Sequence, residues 1–136
     1  AHWLDLVGDQ DYVSIHAYVD RVALNESVLR SIQTLLRDHT RCAVTLGYGP
    51  RFLHSAGQLH KGGPDTGVFL QITSDHEGDV QVPATSFSLG NLVDAQAAGD
   101  LESLVCKNRR YLRIHMESPA KGLVTIERAV RAALDY

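Results

Sequence analysis

Little in this sequence could staple a fold together from outside its core. Two cysteines are the whole complement, Cys42 and Cys106, far apart and each in an apolar context. Such spacing builds no disulfide framework, so the reading is two buried free thiols in a reducing compartment. Long apolar runs are missing as well: no stretch approaches the ~20 residues that span a bilayer. The first residues lack the charged-then-apolar pattern of a secretion signal, so the expected location is the cytoplasm. Charge of one sign never accumulates, with 13 basic against 16 acidic residues and a net charge of −3. That balance argues against a nucleic-acid stripe and a membrane-binding face. The histidines His16, His39, His54, His60, His76 and His115 offer no pair at zinc-motif spacing, and the cysteines do not cluster, so no metal site is expected.

What remains is a chain of 136 residues, 44% of them hydrophobic, the size of one domain able to bury its own core. The whole of residues 1–136 reads as a single domain. It enters a structural element within about a dozen residues of Ala1, as a piece of a longer protein would.

Tyr12 to Val19 alternates Val13, Ile15, Ala17 and Val19 with Ser14, His16 and Tyr18, which predicts a strand. Asn25 stands where it could cap a helix carrying Val28, Leu29, Ile32, Leu35 and Leu36 on one side. Cys42 to Leu46 is a second strand running into Gly47-Tyr48-Gly49-Pro50, and a helix between two strands implies a parallel βαβ unit. Pro50 to His60 reads as one helix of roughly three turns, stopped by Gly62-Gly63-Pro64. Gly67 to Ile72 is apolar enough to be a strand covered on both faces, and Thr73 to Ala84 is a polar surface loop. Ser86 or Ser88 caps a helix through Ala98, Asp100 restarts one, Tyr111 to His115 is a strand, and Leu123 to Leu134 closes as a helix. Alternating strands and helices make this an α/β protein, three-layer α/β/α with a mostly parallel sheet.

The candidate chemistry is concentrated between Gly47 and Gly67, at the carboxyl end of a strand, where open α/β sheets bind ligands. On one continuous helix His54, Gln58 and Lys61 share a face, with Ser55 beside them. That face offers amide, imidazole and ammonium groups for an anionic, hydroxylated ligand, and the glycines allow close backbone approach. The alternative is a structural loop whose polar residues cap neighbouring elements. The Gly-Lys-Ser/Thr ending of a phosphate loop is absent, as is the Gly-x-Ser-x-Gly elbow that a triad of Ser55, His54 or His60 and Asp65 would require. His16 and His115 read as structural or edge histidines, Arg109, Arg110 and Arg113 as solvated or paired at a sheet edge, and Trp3 as packing the amino-terminal arm.

The run from Gly47 to Ile72, GYGPRFLHSAGQLHKGGPDTGVFLQI, resembles the corresponding block of bifunctional transaldolase/glucose-6-phosphate isomerase proteins. Ser86-Phe87-Ser88-Leu89-Gly90-Asn91-Leu92 and Ala95-Gln96-Ala97-Ala98-Gly99-Asp100-Leu101 are similar to the same proteins. The resemblance implies a fold like the sugar isomerase (SIS) domains and a part in interconverting glucose 6-phosphate and fructose 6-phosphate. That reaction moves a proton between C1 and C2 through an enediol, using a general base and no metal or nucleotide cofactor.

In that setting His60 and Lys61 are the catalytic candidates, His60 for proton transfer or ring opening and Lys61 for developing negative charge. His54, Ser55, Gln58, Gly62 and Gly63 are the substrate-binding candidates. The implied partners are a sugar phosphate and upstream isomerase and transaldolase domains, and a homodimer is compatible. The pattern departs from ordinary bacterial isomerases at Gly62, which stands where those enzymes place a glutamate, and in lacking their C-terminal lysine motif. The isolated chain is therefore expected to be a weak catalyst, with Asp65 nearby and Glu77 or Asp79 able to serve only if their loop folds over the site. The competing reading is a non-catalytic phosphosugar-binding or interaction module that completes a partner domain's active site.

Overall fold

A computed structural model describes residues 2–134. After a 3-10 turn at Leu4–Leu6, the chain runs β1 (Tyr12–Tyr18), α1 (Ala23–Thr40), β2 (Ala43–Tyr48), a 3-10 turn (Arg51–His54), α2 (Gly57–Gly62), β3 (Gly67–Ser74), α3 (Leu89–Cys106), β4 (Arg110–Met116) and α4 (Pro119–Ala133). The four strands form one sheet in the order β2-β1-β3-β4, every pairing parallel. Parallel neighbours cannot be joined by a tight turn, so each connection crosses a face of the sheet. Val13, Ile15 and Ala17 of β1 pack with Leu29, Ile32 and Leu36 of α1 and Leu123 and Ile126 of α4. The 3-10 turn, α2 and α3 cover the opposite face, where Tyr18 meets Phe52 and Ala97. The result is the three-layer α/β/α architecture that the alternating elements predict.

Helix α1 shows how the sequence pattern becomes energy. Leu29, Ile32 and Leu36 are fully buried at helical spacing, each burial stabilising by about 2 kcal/mol before entropy is counted. Trp3 packs against the same core, as its solitary position suggested. Among the described residues no helix is long and apolar enough to cross a membrane.

Several boundaries differ from the sequence reading for identifiable reasons. Asn25 does not cap α1: Val22 takes that position, while buried Asn25 sits in the first turn and donates from Nδ2 to the Asp20 carbonyl at 2.9 Å. The helix drawn from Pro50 to His60 is two pieces broken at Ser55, because Phe52 turns inward against Gly47 and Tyr18. β3 continues to Ser74, and α4 starts at Pro119, whose missing N–H costs nothing in a first turn. Asp100 restarts nothing, since α3 is continuous and Asp100 is inside it. Cys42 is partly buried and Cys106 exposed, which corrects the expectation of two buried thiols; both are free.

Ser88 is the serine that caps α3, accepting from the Asn91 backbone while the Asn91 side chain accepts from the Ser88 backbone. Ser88→Ala should lower unfolding stability by about 1 kcal/mol in urea denaturation, with the slope of the transition unchanged.

Candidate functional site

The strand order decides where the sheet opens. From β1 the chain leaves through α1 toward β2; from β3 it leaves through α3 toward β4. The two connections diverge at the carboxyl ends of adjacent strands, which is the switch point where open α/β sheets form ligand crevices. A cleft of about 460 Å³ lies there. Its walls are the residues following β1, the segment from Ser74 to Val80 following β3, and the first turns of α1, α3 and α4. Ser74 and Asn25 are among its buried lining residues, and exposed Val22, Leu24, Val80 and Leu89 add an apolar lip.

The three helix starts differ in their chemistry. That of α3 is closed by Ser88 and by Asp79, whose Oδ1 accepts from the Gly90 and Val80 amides at 2.8 Å each. The Ser88 hydroxyl, then those amides, hold the Asp79 carboxyl below the usual carboxylate range. At α1 and α4 the cap residues Val22 and Ser118 make no side-chain capping bond. First-turn N–H groups of a helix have no partner within it, so these two ends present uncommitted donors and positive dipole.

Four acids line the cleft, and two are occupied. Asp79 is committed as described, and Asp75 Oδ1 lies 3.1 Å from His115 Nε2, whose Nδ1 is 2.9 Å from the Thr73 hydroxyl. The carboxylates of Glu77 and Asp20 have no hydrogen-bond or ion-pair partner among the described residues, and both residues are exposed. The loop from Thr73 therefore lines this cleft rather than folding over the motif between His54 and Gly63, which was the condition set for a role of Glu77 or Asp79 there. Sequence reasoning missed the cleft because it is assembled from three strand ends; the signals present were Gly78, at φ 68°, and the Ser88 capping box that starts α3 at its edge.

The dense motif lies elsewhere. His54, Ser55 and Gln58 are exposed on the outer surface of the 3-10 turn and α2. The break at Ser55 removes the single helical face that would have aligned His54, Gln58 and Lys61. Gly62 is exposed, and Gly63 offers its carbonyl to Arg109, which also pairs with Asp65 at 3.1 Å. None of these residues lines the cleft; of the motif, Gly49 does.

His60 points inward and is only 4% exposed. Its Nδ1 is 2.8 Å from the Tyr12 hydroxyl and its Nε2 is 3.3 Å from Ser14 Oγ. Burial, and next the neighbouring His16 ring, push its pKa down to about 4. An accessible imidazole titrating near neutrality, as a proton-transfer role would suggest, is not what this conformation presents. Lys61 Nζ lies 2.9 Å from Asp100 Oδ1, and Asp100 Oδ2 is 3.2 Å from His16 Nδ1, with His16 and Asp100 fully buried. Burial alone would raise the Asp100 carboxyl, but hydrogen bonds from His16 and Lys61 outweigh it and hold the pKa below its ordinary value.

No protein-family model matches the chain, and no curated protein matches it. Among solved structures it is similar to a hypothetical protein from Thermus thermophilus, with a TM-score of 0.71 and 17% identity. The match covers 89% of this chain and 34% of that one, so this chain spans about a third of that protein's length. At this identity the likeness shows the fold, and it agrees with the three-layer architecture.

Because Asp100 is the carboxylate shared by His16 and Lys61, Asp100→Ala should destabilise by about 3 kcal/mol, as removal of one partner from a buried pair does. Glu77→Ala, at an exposed position, should stay within about 0.5 kcal/mol in the same denaturation series.

Proposed function

We propose that this chain is a sugar-phosphate-binding domain of the glucose-6-phosphate isomerase type, with its ligand seated in the cleft at the carboxyl ends of β1, β3 and β4. The observation that carries this reading is the meeting, in one cleft, of two uncapped helix starts with two unpaired carboxylates. The first turns of α1 and α4 suit a phosphate, since free N–H groups and helix dipole both favour an anion. Asp20, Asn25 and Ser74 suit sugar hydroxyls.

Glu77 is the candidate base for the aldose–ketose step. Its carboxylate would take the proton from C2 of the open-chain aldose, giving an enediolate; the O2 proton would pass to O1, and the carboxyl would return its proton to C1 to give the ketose. The cleft's amide and hydroxyl donors would stabilise the oxygen on which negative charge develops. The resemblance carried by Gly47 to Ile72 and Ser86 to Leu101 supports the same reaction class, and the α/β/α fold is compatible with an SIS-like domain.

A second reading is favoured by one observation: His54, Ser55 and Gln58 face outward. On this reading the motif is a surface that completes the active site of another domain or a second copy, and the chain alone is a non-catalytic module.

Amide shifts in an NMR titration with fructose 6-phosphate discriminate between them. The first reading predicts perturbations over residues 19–25, 74–80 and 118–120, absent with fructose and partial with inorganic phosphate. Perturbations confined to residues 51–63 would support the second reading, and none at millimolar ligand would remove both for the isolated chain. In a coupled isomerase assay Glu77→Gln should lower turnover about 100-fold or more while leaving the titration unchanged.

A further inference from the structure

A central strand of a parallel sheet is ordinarily apolar on both faces. β1 breaks that rule on one side only. Val13, Ile15 and Ala17 are fully buried against α1 and α4, but the other face is Tyr12, Ser14, His16 and Tyr18, every one a hydrogen-bonding group. Over this row lie the 3-10 turn, α2 and α3. The His60 ring centroid is 4.9 Å from that of His16 and 5.3 Å from that of Phe69, and Asp100 descends from α3 to join His16 and Lys61.

Segment 51–63 has little of its own to keep it folded. Its regular structure amounts to a four-residue 3-10 turn and a six-residue helix, far short of the length at which a helix persists unaided. Its anchors are Phe52, the two ring nitrogens of His60, the Lys61–Asp100 ion pair, and the Lys61 and Gly63 carbonyls held by Arg109. We infer that the polar layer under this segment is an acid-labile latch: protonation of His60 releases residues 51–63 from the sheet while the sheet itself stays folded.

Burial first, and then the charges facing His60, make a proton there unfavourable. From β1 come Tyr12, His16 and Tyr18, from α2 Lys61, from α3 Asp100, and near Tyr12 the guanidinium of Arg109, itself paired with Asp65. Asp100, the one carboxylate in the layer, already balances Lys61 and bonds His16. A second positive charge would find no counter-ion. The hydrogen bonds agree: Thr45 Oγ1 donates to Ser14 at 2.8 Å, which frees the Ser14 proton for His60 Nε2 and leaves Nδ1–H for Tyr12. A doubly protonated ring would displace the Ser14 proton from its acceptor.

Release would reach the cleft as well. Gly49, one of the cleft residues, packs so closely on the Tyr18 ring that a Cβ there would collide with it, and it leads through Pro50 directly into the segment. Release of the segment does not depend on which ligand the cleft takes.

Protonation favours the released form wherever the folded pKa lies below the unfolded one, so the latch weakens as pH falls through the interval between them. With an ordinary value of 6.5 and a latched value of about 4, opening becomes roughly 30-fold more frequent at pH 5 than at pH 7.5. Hydrogen exchange read by mass spectrometry, corrected for intrinsic rates, should show residues 57–63 losing protection by that factor while β3 keeps its own. In His60→Gln, which retains hydrogen-bonding groups but cannot titrate in this range, the factor should fall to near one. Equal loss in β3, no loss in 57–63, or an unchanged factor in His60→Gln would each overturn the latch. On the unmodified protein, a ¹⁵N ring titration of His60 with its midpoint near the ordinary 6.5 rather than near 4 would also overturn it.

Discussion

Everything positioned in this molecule depends on the parallel pairing of β1 with both β2 and β3. Because all four strands point the same way, their carboxyl ends share one edge and their connections must cross the faces. Because β1 sends its chain one way and β3 the other, that edge parts between them. The cleft, the convergence of the starts of α1, α3 and α4, and the placement of Asp20, Asp75 and Glu77 at one mouth follow from that order. A different strand order built from the same elements would scatter these groups.

The same pairing gives β1 its divided character. One face is an apolar core of the common kind, and it carries the helices whose spacing is plain in the sequence. The other is a polar layer in which Asp100 is drawn into a buried position because His16 and Lys61 together offset its loss of water. Polar groups at that depth are stabilising only when paired, and the pairs of His60 with Tyr12 and Ser14 and of Lys61 with Asp100 fix the path of the segment above them.

β1 and β4 were legible from alternation, β2 and β3 from short apolar runs, α1 and α4 from spacing near 3.6, and the α/β class from the order of these elements. The order of the strands was not, since the pairing of β1 with β3 rather than β2 with β3 rests on contacts more than fifty residues apart in sequence. Two polar residues show what spacing does not carry. His60 stood as a site candidate and Asp100 as a helix start, and both have interior partners on β1. Conversely Glu77, in a loop with no periodicity, lines the cavity. The motif between Gly47 and Gly67 is thus divided: His60 and Lys61 face inward and hold it, while His54, Ser55 and Gln58 face outward.

The proposed ligand site is the cleft at the parting of β1 and β3, with phosphate at the starts of α1 and α4. A crystal of the protein grown with fructose 6-phosphate is the decisive test. The predicted result is sugar density between the ends of β1 and β3, its phosphate on the first-turn amides of α1 and α4 and its C1–C2 end toward Glu77. Density over His54, Ser55 and Gln58 with the cleft empty would contradict it.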